Sequence, residues 1–134
     1  MKPPPLLDTH LWLWWLLGES RIARAEADAL DAFPPDGRPW LCDISIWEAA
    51  LLVEKERVEL DCSLADFLET AASPATVRVL PITARVAVEM NDLPDSFHRD
   101  PADRLIVATA RAHGLAVATR DSLIVESGLV NIWC

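Results

Sequence analysis

The sequence predicts an α/β fold on a mostly parallel sheet, and three observations predict it. Short apolar stretches (Pro5-Leu6-Leu7, Pro39-Trp40-Leu41-Cys42, Val77-Arg78-Val79-Leu80 and Leu115 to Thr119) alternate with longer stretches of helical period. Leu115 to Thr119 is an apolar run rather than an alternating one, as in strands buried on both faces. Acids follow two of these stretches, Asp8 and Asp121, at the carboxyl end where sites form in open parallel sheets.

At 134 residues the chain is one domain, 1–134, and 51% hydrophobic with 25% charged residues is an ordinary folded composition. The start, MKPPPLLDTH, has no leader pattern, and the apolar run from Leu6 to Leu17 is too short for a bilayer and is broken by Asp8 and His10. Cys42, Cys62 and Cys134 show no metal-ligand spacing, which fits a reducing cytoplasm. The net charge of −9 argues against broad nucleic-acid binding through Lys and Arg, yet leaves open a site that reaches phosphate through bound cations.

In chain order, the strand at Leu6 ends in Asp8, Thr9 caps a helix from His10 to Leu17, and Gly18 stops it. Trp12, Trp14 and Trp15 make this helix unusually aromatic; one or two belong in a core and the rest on a surface that meets a partner. Ser20 to Phe33 reads as an amphipathic helix, followed by the Pro34-Pro35-Asp36-Gly37 loop. After the second strand, Asp43 or Ser45 caps a helix whose first turn carries Glu48. Arg57 to Leu60 is extended, and Ser63 with Asp66 opens a further helix. Val77 to Leu80 is the third strand, Pro81 breaks it, and Thr83 caps a helix from Ala84 to Met90.

Asp100 then caps a helix with Pro101 at its first position and Asp103 at its third. Leu105, Ile106, Thr109 and Ala112 form its apolar stripe, and Gly114 is a left-handed stop. Leu115 to Thr119 is a buried strand with Asp121 beyond it, and Leu129 to Trp133 is an edge strand.

Asp8, Glu48, Asp103 and Asp121 thus come from four separate segments that a right-handed parallel sheet brings to one edge. Gathered carboxylates repel, and a divalent cation removes that penalty. Oxygen donors without His or Cys favour Mg²⁺, with Mn²⁺ substituting. Such centres suit phosphodiester hydrolysis, often with two metals about 4 Å apart. The sequence has no nucleophile elbow, Cys–His pair or Gly-rich phosphate loop, and His10, His98 and His113 lack ligand spacing, with His113 placed as a helix-dipole partner.

The segments LLDTHLWLWWL, ISIWEAALLVEK, FHRDPADRLIVATA and ATRD, in that order, resemble PIN-domain proteins and in particular the VapC toxins of bacterial toxin–antitoxin pairs. The resemblance implies a PIN-like three-layer α/β/α sandwich with a central mostly parallel sheet. It implies Mg²⁺-dependent endoribonuclease activity on RNA, a VapB-like antitoxin that blocks the site, and a homodimer. It places metal-binding and catalytic acids at Asp8, Glu48, Asp103 and Asp121, with Asp100 as an extra acid that is either a ligand or only a cap. Thr9, Thr119 and Arg120 fall beside these acids, Thr9 as a donor to a ligand carboxylate, Thr119 as a holder of water and Arg120 as a phosphate contact. Arg99, Arg104, Arg111 and Arg120 cluster around the same segments and would make the mouth locally positive. Two other readings compete. A catalytically silent PIN-like partner-binding module would work through the Trp-rich helix, and a phospho-acceptor receiver domain would need an acidic pair after the first strand and a Lys after Lys55, neither of which is present.

Overall fold

The computed structural model describes residues 2–133. Four short strands, β1 (Leu6–Leu7), β2 (Trp40–Cys42), β3 (Arg78–Leu80) and β4 (Val117–Ala118), form a sheet in the order β3-β2-β1-β4. Every pairing is parallel, with Leu6 facing both Trp40 and Val117, and Leu7 facing both Leu41 and Ala118. The helices are α1 (Thr9–Leu17), α2 (Arg24–Asp31), α3 (Asp43–Glu54), α4 (Leu64–Ala71), α5 (Ala84–Asp92), α6 (Pro101–His113) and α7 (Ser122–Val125).

The two-residue period of the strands divides the core. Leu7, Leu41 and Ala118 point to one side, where they pack with Leu11, Trp12, Leu30 and Ala71 of α1, α2 and α4. Leu6, Cys42 and Val117 point to the other, against Ile106 and Ala110 of α6. Helices therefore cover both faces, which is why these strands read as apolar runs. Beyond α6, Val86 and Leu93 of the α5 region pack on Val107 and Ala108.

Trp12 is fully buried, and its indole Nε1 donates to the Ala71 carbonyl at 3.1 Å, tying α1 to the end of α4. Trp12→Ala is expected to cost roughly 3–5 kcal/mol through the cavity it leaves. A lowered urea midpoint with an unchanged slope is the measurement that checks this. Trp14 and Trp15 lie half-buried beside it; Arg21 sits 5.6 Å over the Trp14 ring, and Trp15 Nε1 donates to Asp31 at 2.9 Å. The most exposed tryptophan is instead Trp47 on α3, 59% accessible.

Several boundaries differ from the sequence expectation. The residue at the cap of α1 is Asp8 rather than Thr9, although the Asp8 side chain makes no capping bond. Helix α2 starts only at Arg24, because Ile22 is buried in the turn before it. Helix α3 begins at Asp43 with Cys42 at its cap, so Glu48 lies in the second turn and not the first. Arg57 to Leu60 forms a bend and irregular backbone rather than a strand. The edge strand expected at Leu129 to Trp133 is one parallel bridge, Val117 to Ile132, held by backbone bonds from Val117 to Asn131 and from Trp133 to Val117, each 2.9 Å. Gly18 and Gly114 both adopt φ +66°, the left-handed stops expected of them. Among the cysteines, Cys42 is buried and Cys62 exposed, while Cys134 lies outside the described residues.

Candidate metal centre

The strand order reverses between β1 and β4: from β1 the chain steps outward to β2 and β3, then returns to β4 on the other side. Such a switch point opens a crevice at the carboxyl ends of the two strands. Asp8 directly follows β1, and Thr119 and Asp121 follow β4, so three polar side chains meet there because of connectivity. Asp8 is only 4% exposed. Thr119 Oγ1 donates to Asp8 Oδ2 at 2.8 Å and accepts from the Asp121 amide at 3.0 Å, linking the two acids across the sheet. Asp121 in turn caps α7, with Oδ1 accepting from the Leu123 amide at 2.8 Å.

Glu48 is delivered by a buried hydroxyl pair. Thr9 Oγ1 donates to Ser45 Oγ at 2.8 Å, joining the start of α1 to α3. Glu48 stands three residues after Ser45, on the same side of the helix, and its charge is felt at Asp8. Its Oε1 is buried with no hydrogen-bond partner. Asp103 is delivered by the cap of α6: Asp100 Oδ1 accepts from the amides of Ala102 at 2.9 Å and Asp103 at 3.2 Å. Asp100 itself is exposed and spent on that cap.

Burial and mutual repulsion set the electrostatics. Desolvation, offset in part by the Thr119 hydrogen bond and the His10 charge, with Glu48 and Asp121 adding repulsion, pushes the Asp8 carboxyl up to about 6. Burial first, then the charges of Asp8, Asp100, Asp121 and Glu48, pushes Asp103 up to about 8. The expected acids therefore sense one another across four segments. A carboxyl held this far above its ordinary range, beside a buried carboxylate oxygen with no donor, is the environment a divalent cation relieves.

One further side chain, His98, stands beside the acids and was not expected there. His98 Nε2 lies 3.1 Å from Asp103 Oδ2, and ligand atoms of His98, Asp103 and Asp121 all fall within 4.8 Å of one another. His98 stands two residues before the Asp100 cap, and Arg104 of the same helix folds that loop back by binding the Phe97 and His98 carbonyls, a contact no local pattern encodes. An imidazole nitrogen thus stands beside two of the expected acids.

Of the four arginines expected at the mouth, Arg99 is exposed and the other three are engaged elsewhere. Arg104 turns inward, its Nη1 donating to the carbonyls of Phe97 at 3.1 Å and His98 at 3.3 Å. Arg111 is near the far end of α6, bound to Glu89 and to the Leu129 carbonyl. Arg120 pairs with Glu26 rather than standing free for a phosphate. Thr9 donates to Ser45 instead of a carboxylate, and Thr119 donates to Asp8.

A family model, the PIN domain, matches residues 6–126. The chain belongs to the PIN-domain family. This PIN domain is 38% identical over 116 residues to ribonuclease VapC22 of Mycobacterium tuberculosis, covering 87% of this chain and 85% of that protein. It superposes on FitAcB from Neisseria gonorrhoeae with a TM-score of 0.68 at 27% identity over 96% of each chain. It also superposes on DNA-bound VapBC from Salmonella typhimurium with a TM-score of 0.73 at 16% identity over 98% of each chain, a likeness of fold. The all-parallel sheet between two helical layers is thus the fold expected, and this PIN domain is a homologue of a VapC ribonuclease.

Proposed function

We propose that this chain is a metal-dependent endoribonuclease toxin of the VapC type, restrained by a small VapB-like antitoxin, with Asp8, Glu48, Asp103 and Asp121 as its acidic centre. The observation that carries the reading is the gathering of acids from four segments at the β1/β4 switch point, in a chain 38% identical to a named ribonuclease. The oxygen-rich donor set suits Mg²⁺, with Mn²⁺ substituting. A divalent cation held there would supply an activated water and offset charge on the phosphate oxygens.

The protein's part is placement. Thr119 holds the Asp8 carboxylate through one of its oxygens, Oδ2. The Thr9–Ser45 pair fixes the spacing between α1 and α3 and hence where Glu48 stands. The cap bonds of Asp100 fix the first turn of α6 and with it Asp103. No chain hydroxyl or thiol is required as nucleophile.

The surface we assign to the antitoxin is a groove of about 610 Å³ beside α1, where Trp14, Leu17 and Val58 lie among the charged side chains of Arg21, Glu56 and Arg57. A homodimer belongs to the same proposal, and Ile82 and Val88, 46% and 60% exposed, are apolar surface for a second copy to cover. No helix among the described residues is long and apolar enough to cross a membrane.

The test is direct. The purified full chain, incubated with varied RNAs and Mg²⁺ or Mn²⁺, is expected to yield discrete fragments, and EDTA is expected to stop cleavage. Intact RNA throughout, with either metal, would overturn the enzymatic reading and leave the silent binding module.

A further inference from the structure

His98 is not accounted for by the four-acid centre. Its Nε2 has no hydrogen-bond partner and almost no exposure, yet lies 3.1 Å from Asp103 Oδ2. The contact has the distance of an ion pair without the alignment of a hydrogen bond, so an N–H on Nε2 would lack an acceptor in line with it. The spacing has another meaning. Two donors on adjacent corners of an octahedron, each about 2.1 Å from the ion, lie about 3 Å apart. Asp121 completes a triplet whose ligand atoms all fall within 4.8 Å of one another.

The imidazole is also held in place. Its ring meets the Phe97 ring edge-on, at 4.7 Å and 78°. Buried Arg104 binds the carbonyls of both Phe97 and His98 from the same helix that carries Asp103. One side chain of α6 therefore fixes the loop against another, the arrangement a ligand needs around it.

We propose that His98 is a nitrogen ligand to the cation shared by Asp103 and Asp121, which makes this a mixed nitrogen–oxygen centre with a bias toward Mn²⁺ over Mg²⁺. The proposal rests on the metal-centre reading above. Imidazole binds first-row transition ions more strongly than it binds Mg²⁺, so the bias follows from the donor set.

The experiment uses the full chain loaded with Mn²⁺ alone. Pulsed EPR is expected to detect a ¹⁴N coupling to the bound ion, lost in His98→Gln and His98→Asn and retained in His10→Gln. Mn²⁺ affinity is expected to fall about tenfold or more in the His98 variants, with Mg²⁺ affinity falling less. Bound Mn²⁺ without ¹⁴N coupling in the unmodified chain, or a coupling lost instead with His10, overturns the role of His98 and leaves the carboxylate centre standing. No Mn²⁺ binding by the unmodified chain overturns the metal-centre reading itself.

Discussion

Asp8→Asn is expected to lower metal-dependent RNA cleavage by on the order of 10³-fold, comparable with the loss of a major charge-stabilising group, with no loss of fold. The substitution separates charge from shape. Asn keeps the side-chain oxygen that accepts the 2.8 Å hydrogen bond from Thr119, so the link between the ends of β1 and β4 survives. What disappears is a buried negative charge that repels, and is repelled by, Glu48 and Asp121. Because burial already disfavours that charge in the metal-free protein, its removal should leave Tm unchanged or slightly higher. Kinetics and thermal unfolding on one preparation check both halves. A variant that cleaves RNA as fast as the unmodified chain would remove Asp8 from the site.

The placement of Asp8 and Asp121 was readable because it depends on connectivity. An acid after an apolar strand in a parallel sheet has few places to go, and the reversal of strand order between β1 and β4 does the rest. Asp103 was readable because Asp100, Pro101 and Gly114 bound one helix on both sides. Glu48 was found for partly the wrong reason. Its helix begins two residues earlier than Ser45, and what brings it to the crevice is the Thr9–Ser45 hydroxyl pair, a contact between residues 36 apart that no local pattern encodes. His98 and the arginines failed for the same cause. Closeness in sequence to Asp103 said nothing of direction, so His98 points into the centre while Arg104, one residue beyond Asp103, points away from it to hold the loop. The strand lengths were overestimated because apolar runs mark burial, and Leu115 and Leu129 are partly buried by packing on α6 and α5 without joining the ladder.

Asp103→Asn is expected to stabilise the metal-free protein while disabling the metal-bound one. Asp103 titrates near 8 in the folded chain against an ordinary value of 3.8, so the folded state holds a proton that the unfolded chain releases. The stability linked to that proton is fully present below about pH 4 and is lost as pH rises through 8. Asp8, raised to about 6, adds a loss of the same sign that is complete by about pH 6. Metal-free protein should therefore melt at lower temperature at pH 8 than at pH 5. The Asn variant should flatten that dependence, since it also relieves Asp8 of one repelling neighbour. Allowing for water that reaches this partly buried group, a gain of about 1 kcal/mol at pH 8 corresponds to roughly 3–5 °C in Tm for a chain of this size. Saturating Mg²⁺ should reverse the order. A cation replaces protons on its ligands, so it should raise the Tm of the unmodified chain more at pH 8 than at pH 5 and should do little for the variant. Metal-free melting curves in EDTA that do not move with pH, or a variant that gains as much from Mg²⁺ as the unmodified chain, would mean that Asp103 is not part of a cation site.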